Sequence, residues 1–243
     1  MATDCPGHIF AFWTGSNPLS DKRKQGLASF SVTGLSPILV DMGNLSDWIV
    51  PNHPLHPAYE LLSAVHRSDY LRAYFMYHHG GGYADIKTQT GSWLPTVERL
   101  DRSRWFIGAG YREIRGGVAN LDLGLVDRRA FVLSKAVSRG LARTVTNVMR
   151  AARPLLIGNG AFYFKRHTDY AKHWLLEAER RLGLLLPELE RHPASHPRDR
   201  LQSGSGYPVA WSFIMGDLNA PLSLLHAAHL LRTLPRPIFE DYE

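Results

Sequence analysis

Two short runs of the sequence hold residue types suited to chemistry on a polar ligand. In the first, Asp69 and Arg72 stand three positions apart in a stretch of helical periodicity and so share a face. An arginine can grip phosphate oxygens bidentately, and an aspartate can accept hydrogen bonds from sugar hydroxyls. The alternative is a surface ion pair worth roughly a few tenths of a kcal/mol. In the second run, Gly80-Gly81-Gly82 precedes Tyr83, Asp85 and Lys87. Three glycines remove side chains and let backbone approach a ligand closely. A carboxylate at a strand end in an open α/β sheet commonly faces the ligand crevice. A plain helix stop, with Asp85 as a capping residue, is the competing reading.

The flanking elements must position these residues. His8 to Trp13 is an apolar run closed by Thr14-Gly15-Ser16-Asn17-Pro18, the composition of a buried strand entering a loop. Ser20 can cap a helix over 21–30, and Ser36-Pro37 leads into a second strand at Ile38-Leu39-Val40. That βαβ rhythm predicts a parallel sheet. Apolar residues three and four apart, among them Leu62, Val65, Leu71, Tyr74 and Phe75, predict one long helix from Tyr59 to His79. The glycines stop it, 83–87 becomes a short strand or its end, and Asp85 sits at the strand edge just past the break. A strand is expected at 105–111, a strand or turn at 155–160, and helices at 93–100, 131–150 and 170–181. With no repeat and no linker, residues 1–243 read as one α/β domain with a mostly helical C-terminal part.

At 44% hydrophobic and 21% charged residues over 243 positions, the chain can bury a core of ordinary size. The single cysteine, Cys5, excludes an internal disulfide and a cysteine zinc cluster, in keeping with a reducing, cytoplasmic setting. No apolar run nears the roughly 18 residues needed to cross a bilayer, so any membrane contact is expected to be peripheral. A net charge of +6 favours anionic partners. The basic residues come in short groups with an acidic neighbour, such as Asp21-Lys22-Arg23-Lys24, which read as solvated helix faces. They form no stripe or module that would mark a nucleic-acid surface.

Ser68-Asp69-Tyr70-Leu71-Arg72, then Tyr74 and Tyr77, then Gly81-Gly82-Tyr83-Ala84-Asp85, resembles the Ser-Asp-x-x-Arg to Gly-Gly-x-Tyr-x-Asp-x-Asp signature of sugar transferases with the DXD sugar-binding motif. That group includes capsular polysaccharide synthesis proteins, Golgi-type mannosyltransferases and the glucosylating domains of clostridial toxins. Residue types, spacing and the intervening helix agree together from about residue 59 to 90. Phe12-Trp13-Thr14-Gly15 is similar to the end of that family's first strand, and the C-terminal half is merely compatible with the family.

The resemblance implies a GT-A fold with a Rossmann-like central sheet and flanking helices. It assigns 1–120 to nucleotide-sugar binding and 121–243 to the acceptor side and closure. It implies transfer of a hexosyl group from a nucleoside-diphosphate sugar to a glycan or other hydroxyl acceptor, with retention, in surface or capsular glycan synthesis. By position, Trp13 would stack on the base, Asp69 would hold sugar hydroxyls, and Arg72 would contact sugar and diphosphate. Gly81, Gly82 and Tyr83 would belong to the donor pocket, and Asp85 would take the first carboxylate of the motif and with it a divalent cation, manganese or magnesium. Lys87 stands where the second aspartate is expected. An ammonium repels a cation yet can offset phosphate charge, so Asp85, Arg72 and Lys87 form the expected catalytic group, with metal-free catalysis or a relocated metal as its consequence; an outward-facing Lys87 or a lost activity is the alternative.

Weaker candidates remain. His192 and His196 are each followed by proline and read as loop. His226 and His229 fit one face of a C-terminal helix. Tyr207 to Trp211 and Gly216-Asp217 follow Ser203-Gly204-Ser205-Gly206, which suits a segment closing over donor and acceptor. Asp217 is a candidate contact for a metal, with helix capping as the alternative. A non-catalytic nucleotide or glycan binder and a nucleic-acid-binding protein are the rival functions.

Overall fold

A computed structural model describes residues 5–121 and 135–239, and side chains of 135–139 are left out of the description. The chain forms six strands, β1 (His8–Trp13), β2 (Ser36–Asp41), β3 (Gly81–Ala84), β4 (Gly108–Arg112), β5 (Ile157–Phe164) and β6 (Leu230–Leu231). The helices are α1 (Asp21–Ala28), α2 (Ala64–His78), α3 (Leu94–Asp101), α4 (Lys135–Ala151), α5 (Asp169–Arg191) and α6 (Gly216–Leu225). The strands make one sheet in the order β2-β1-β3-β5-β4-β6. β1 runs parallel to β2 and β3, and β6 parallel to β4, but β5 is antiparallel to both neighbours. The parallel pairing expected of the βαβ unit holds for β1 and β2, while the sheet as a whole is mixed. The C-terminal ends of β1, β3 and β4 and the N-terminal end of β5 consequently meet along one edge.

Strand alternation sorts the side chains between two faces. Phe10, Phe12, Tyr83, Phe162 and Phe164 pack on one face with Tyr74 and Phe75 of α2 and Trp174 of α5. Ile9, Ala11, Ala84 and Tyr163 pack on the other with Trp93, the residue before α3, and Leu100 of α3. A smaller cluster of Val118, Leu121, Met149, Leu156 and Ala220 joins α4 to α6.

Helix ends differ from the sequence pattern for local reasons. The stretch from Tyr59 divides into a 3-10 turn at Pro57–Leu61 and then α2, because Leu62 is extended and the Ser63 hydroxyl caps α2 at the His66 N–H. α1 is capped by Ser20 and passes at Ser29 into a 3-10 turn. Strand β4 starts at Gly108, not at Trp105, which is 60% exposed with its indole N–H on the Ala228 carbonyl. α5 continues through Pro187 to Arg191, ten residues past the expected end. α6 ends at Leu225, so His226 and His229 lie beyond it, at the N-cap and the last residue of a 3-10 turn over Ala227–His229. The expected helix from 131 begins outside the described residues.

Candidate functional site

The strand edge opens into a cavity of about 680 Å³. Trp13 ends β1 on one side of it, Asp85 and Lys87 follow β3 in the middle, and Asn159 and Gly160 of β5 and Glu113 beyond β4 continue the wall. α2 delivers Ser68, Asp69 and Arg72 to the same space from one face of the helix.

Asp85 is the centre of the floor. Its Oδ1 accepts from Arg72 Nη2 at 3.1 Å and from the Tyr83 hydroxyl at 2.7 Å, while Lys87 Nζ lies 3.3 Å from Oδ2. The Asp85 N–H donates to the Gly160 carbonyl at 2.8 Å, extending the β3–β5 ladder by one bond. The Arg72 guanidinium lies 4.5 Å above the Tyr83 ring and 3.4 Å from Asp69. It thus bridges two carboxylates and stacks on an aromatic face. Lys87 Nζ also sits 4.1 Å from the Phe239 ring centre. Burial pushes the Asp69 carboxyl up to about 7 against the pull of Arg72, and Asp85 adds to the push. Burial pulls the Lys87 ammonium below the usual lysine range, with Asp85 opposing.

Among the residues singled out from sequence, Trp13, Asp69, Arg72, Tyr83, Asp85 and Lys87 line one cavity. Trp13 is half-buried, its indole N–H held by the Asn17 carbonyl at 2.6 Å and part of its ring against the second core face. Gly81 and Gly82 are not brought to the cavity lining. Gly80 and Gly81 have φ of 64° and 87°, which side chains rarely adopt, and a Cβ at Gly81 would meet the His8 ring at 2.8 Å. One at Gly82 would meet Trp93 at 3.0 Å and Ile9 at 3.2 Å. The glycines end α2 and let β3 pack tightly; they do not cradle a ligand.

Asp217 is also absent from the lining. Its side chain is wholly buried in the first turn of α6, accepting from the Ser212 hydroxyl at 2.7 Å and lying 3.7 Å from Arg181. The segment expected to close over the site contributes Trp211, Ser212, Met215 and Gly216 instead.

Sequence reasoning missed Arg23, placed on a solvated helix face with Lys22 and Lys24. Lys24 does pair with Asp21 on the surface, but Arg23 turns inward, lines the cavity and donates to the Ile86 carbonyl at 3.0 Å. A signal was present in Gly26, one turn on, where a Cβ would meet the Ile86 carbonyl at 3.2 Å. Glycine inside a helix marks a close approach, and here it seats α1 against residues 86–87. Asn159, Gly160 and Glu113 carried no motif and were also missed.

A divalent cation needs several oxygen ligands. The residues present do not fit one at Asp85, since a guanidinium and an ammonium already take its two oxygens and no group of three metal-ligating side chains assembles among the described residues. What the floor offers is fixed positive charge next to hydrogen-bond acceptors, suited to a phosphorylated, hydroxyl-rich ligand. No helix among the described residues is long and apolar enough to cross a membrane. Comparison with protein-family models and with curated proteins gives no match to this chain.

Proposed function

We propose that the chain is a glycosyltransferase of GT-A type that moves a hexosyl group from a nucleoside-diphosphate sugar to a hydroxyl acceptor. The supporting observation is the Arg72–Asp85–Lys87 cluster on a cavity floor, with Asp69 beside it and an aromatic ring, Trp13, at the end of β1. In this reading Asp69 and Asp85 hold donor hydroxyls and Trp13 stacks on the base. Arg23, Arg72 and Lys87 stabilise the charge that grows on the departing diphosphate. Lys87 supplies at the second motif position part of the charge that a cation supplies in two-aspartate relatives, and no step needs a metal.

The test is a panel of nucleotide sugars, including UDP-glucose, UDP-galactose and GDP-mannose, screened by thermal shift with manganese and with chelator. A ligand of the native state raises the apparent stability. The expected result is stabilisation by at least one donor in chelator, lost in Arg72→Ala, together with slow donor hydrolysis. Stabilisation without hydrolysis or transfer identifies a binder, and no stabilisation by any donor overturns the proposal.

A further inference from the structure

Glu113 holds a place in the cavity that the donor reading leaves unused. Its side chain is 7% exposed and lines the cavity beyond β4. Oε1 accepts from the Ile114 N–H at 2.8 Å, and among the described residues no hydrogen bond or ion pair from a cationic side chain neutralises the carboxylate. The following turn closes around it. Gly117 donates to the Ile114 carbonyl, Gly116 has φ of 85°, and a Cβ at Gly117 would lie 2.1 Å from Oε1. Only glycine at 117 lets this turn form with Glu113 where it stands.

Strand order fixes where that carboxylate lies relative to Asp85. β5 separates β3 from β4, so the ends of β3 and β4 are two strand spacings apart, roughly 10 Å. β1, which carries Trp13, lies on the opposite side of β3. A donor whose base reaches Trp13 and whose sugar sits over Asp85 leaves the Glu113 side open, with room for one further sugar ring. Tyr111, two residues before Glu113, also lines the cavity, its hydroxyl 3.4 Å from the Gly160 N–H.

An aromatic platform stands on that side. Trp211 is 44% exposed, lines the cavity and lies under the Arg200 guanidinium at 5.2 Å. Its neighbour Ser212 donates to the Asn120 carbonyl at 3.0 Å, tying this segment to the chain that leaves the Glu113 turn.

Resting on the donor reading above, we infer that Glu113 is the catalytic base of an acceptor subsite for a carbohydrate hydroxyl, with Trp211 as the stacking surface for the acceptor ring. Glu113 Oε2 takes the proton of the acceptor hydroxyl as that oxygen bonds to the anomeric carbon. The bond from the anomeric carbon to the phosphate oxygen breaks, the diphosphate leaves with the electron pair beside Arg72 and Lys87, and attack from the side opposite the diphosphate inverts the anomeric centre, where the resemblance implies retention. Burial holds the Glu113 carboxyl above the usual glutamate range, against the Ile114 hydrogen bond, which makes it a stronger base than a surface glutamate.

The experiment measures, for wild type, Glu113→Gln and Trp211→Ala, donor affinity by titration and turnover with water and with a panel of methyl hexosides as acceptors. Glutamine keeps Oε1 as acceptor for Ile114 and removes the base. Expected for Glu113→Gln are donor Kd within about threefold of wild type and turnover reduced about 100-fold, the scale of general base catalysis. Its kcat at saturating donor should lack the rising acid limb that wild type shows, and formate should restore part of the turnover in Glu113→Ala. Trp211→Ala should raise acceptor KM about tenfold at unchanged donor Kd. Turnover and pH limb unchanged in Glu113→Gln overturn the base role while leaving the donor reading intact, as does donor binding without turnover in wild type. Wild type that binds no donor of the panel removes both.

Discussion

Two clusters of this protein pair an arginine with an aspartate and differ in what surrounds them. At the sheet edge, Arg72 meets Asp85 at 3.1 Å, and the Asp85 side chain keeps 15% of its surface exposed to the cavity. Between α5 and α6, Arg181 approaches Asp217 at 3.7 Å, and that aspartate keeps 0%. Arg181 is also held by Glu177 at 3.0 Å and the Phe213 carbonyl at 2.6 Å. Its partners are all protein, so the pair clamps the Tyr207–Gly216 segment and α6 onto α5. Arg72 bonds outward as well as inward, through a cluster whose other members line open space. The same residue pair is a clamp when sealed and a ligand surface when one side is a cavity.

The comparison is sharpest in stability. Removing one partner of a buried ion pair leaves an uncompensated charge, at a cost of about 3–5 kcal/mol. Asp217→Ala should therefore lower the unfolding free energy by about that amount in urea titrations. Asp85→Asn should cost about 1 kcal/mol, because the amide still accepts from Arg72 and Tyr83 and the cavity admits water. It should instead weaken donor binding about 100-fold, the loss expected for a central charged hydrogen-bonding group. A large stability loss in Asp85→Asn beside a small one in Asp217→Ala would reverse the assignment of the two clusters.

Why one aspartate was legible and the other not follows from their surroundings. Asp85 comes after a helix, a glycine break and a strand, and strand ends in α/β sheets face crevices, so period and break sufficed to place it. Asp69 and Arg72 were legible by spacing alone, since three positions on a helix fix a common face. Asp217 follows a glycine too, but its burial depends on Arg181, thirty-six positions back on a helix whose extent past Pro187 no periodicity announced. Arg23 failed for the converse reason: its charged neighbours describe the solvated side of α1, and only packing against residues 86–87 turns it inward. The antiparallel β5 was invisible because it is buried along both faces, and such runs read alike in either direction.

A second way to press the comparison is to change the charge at the floor. Lys87→Asp places a second carboxylate two residues from Asp85 and removes the ammonium now 3.3 Å from it. Oxygen ligands replace fixed positive charge, so manganese should raise donor affinity about tenfold in this variant and less than about threefold in wild type. Equal manganese dependence in wild type and Lys87→Asp would show that the ammonium does not hold the cation's place.

An effect of similar size is expected at Asp69, where burial and Arg72 act in opposite directions on one carboxyl. Burial prevails, and the group titrates at about 7, well above a free aspartate. Below that pH Asp69 is protonated in the folded protein; above it the carboxylate is ionised and accepts from donor hydroxyls most strongly. With a pKa of 7, the ionised fraction rises about tenfold between pH 6 and pH 8, and donor affinity should rise by about the same factor. Nucleotide sugars titrate no phosphate in that window, so the slope belongs to the protein. Asp69→Asn should flatten the profile at the weaker level, with α2 still formed because its cap at Ser63 is untouched. Affinity that falls as pH rises through 7, or a slope that survives in Asp69→Asn, would assign the titration to another group and leave Asp69 as a partner of Arg72 alone.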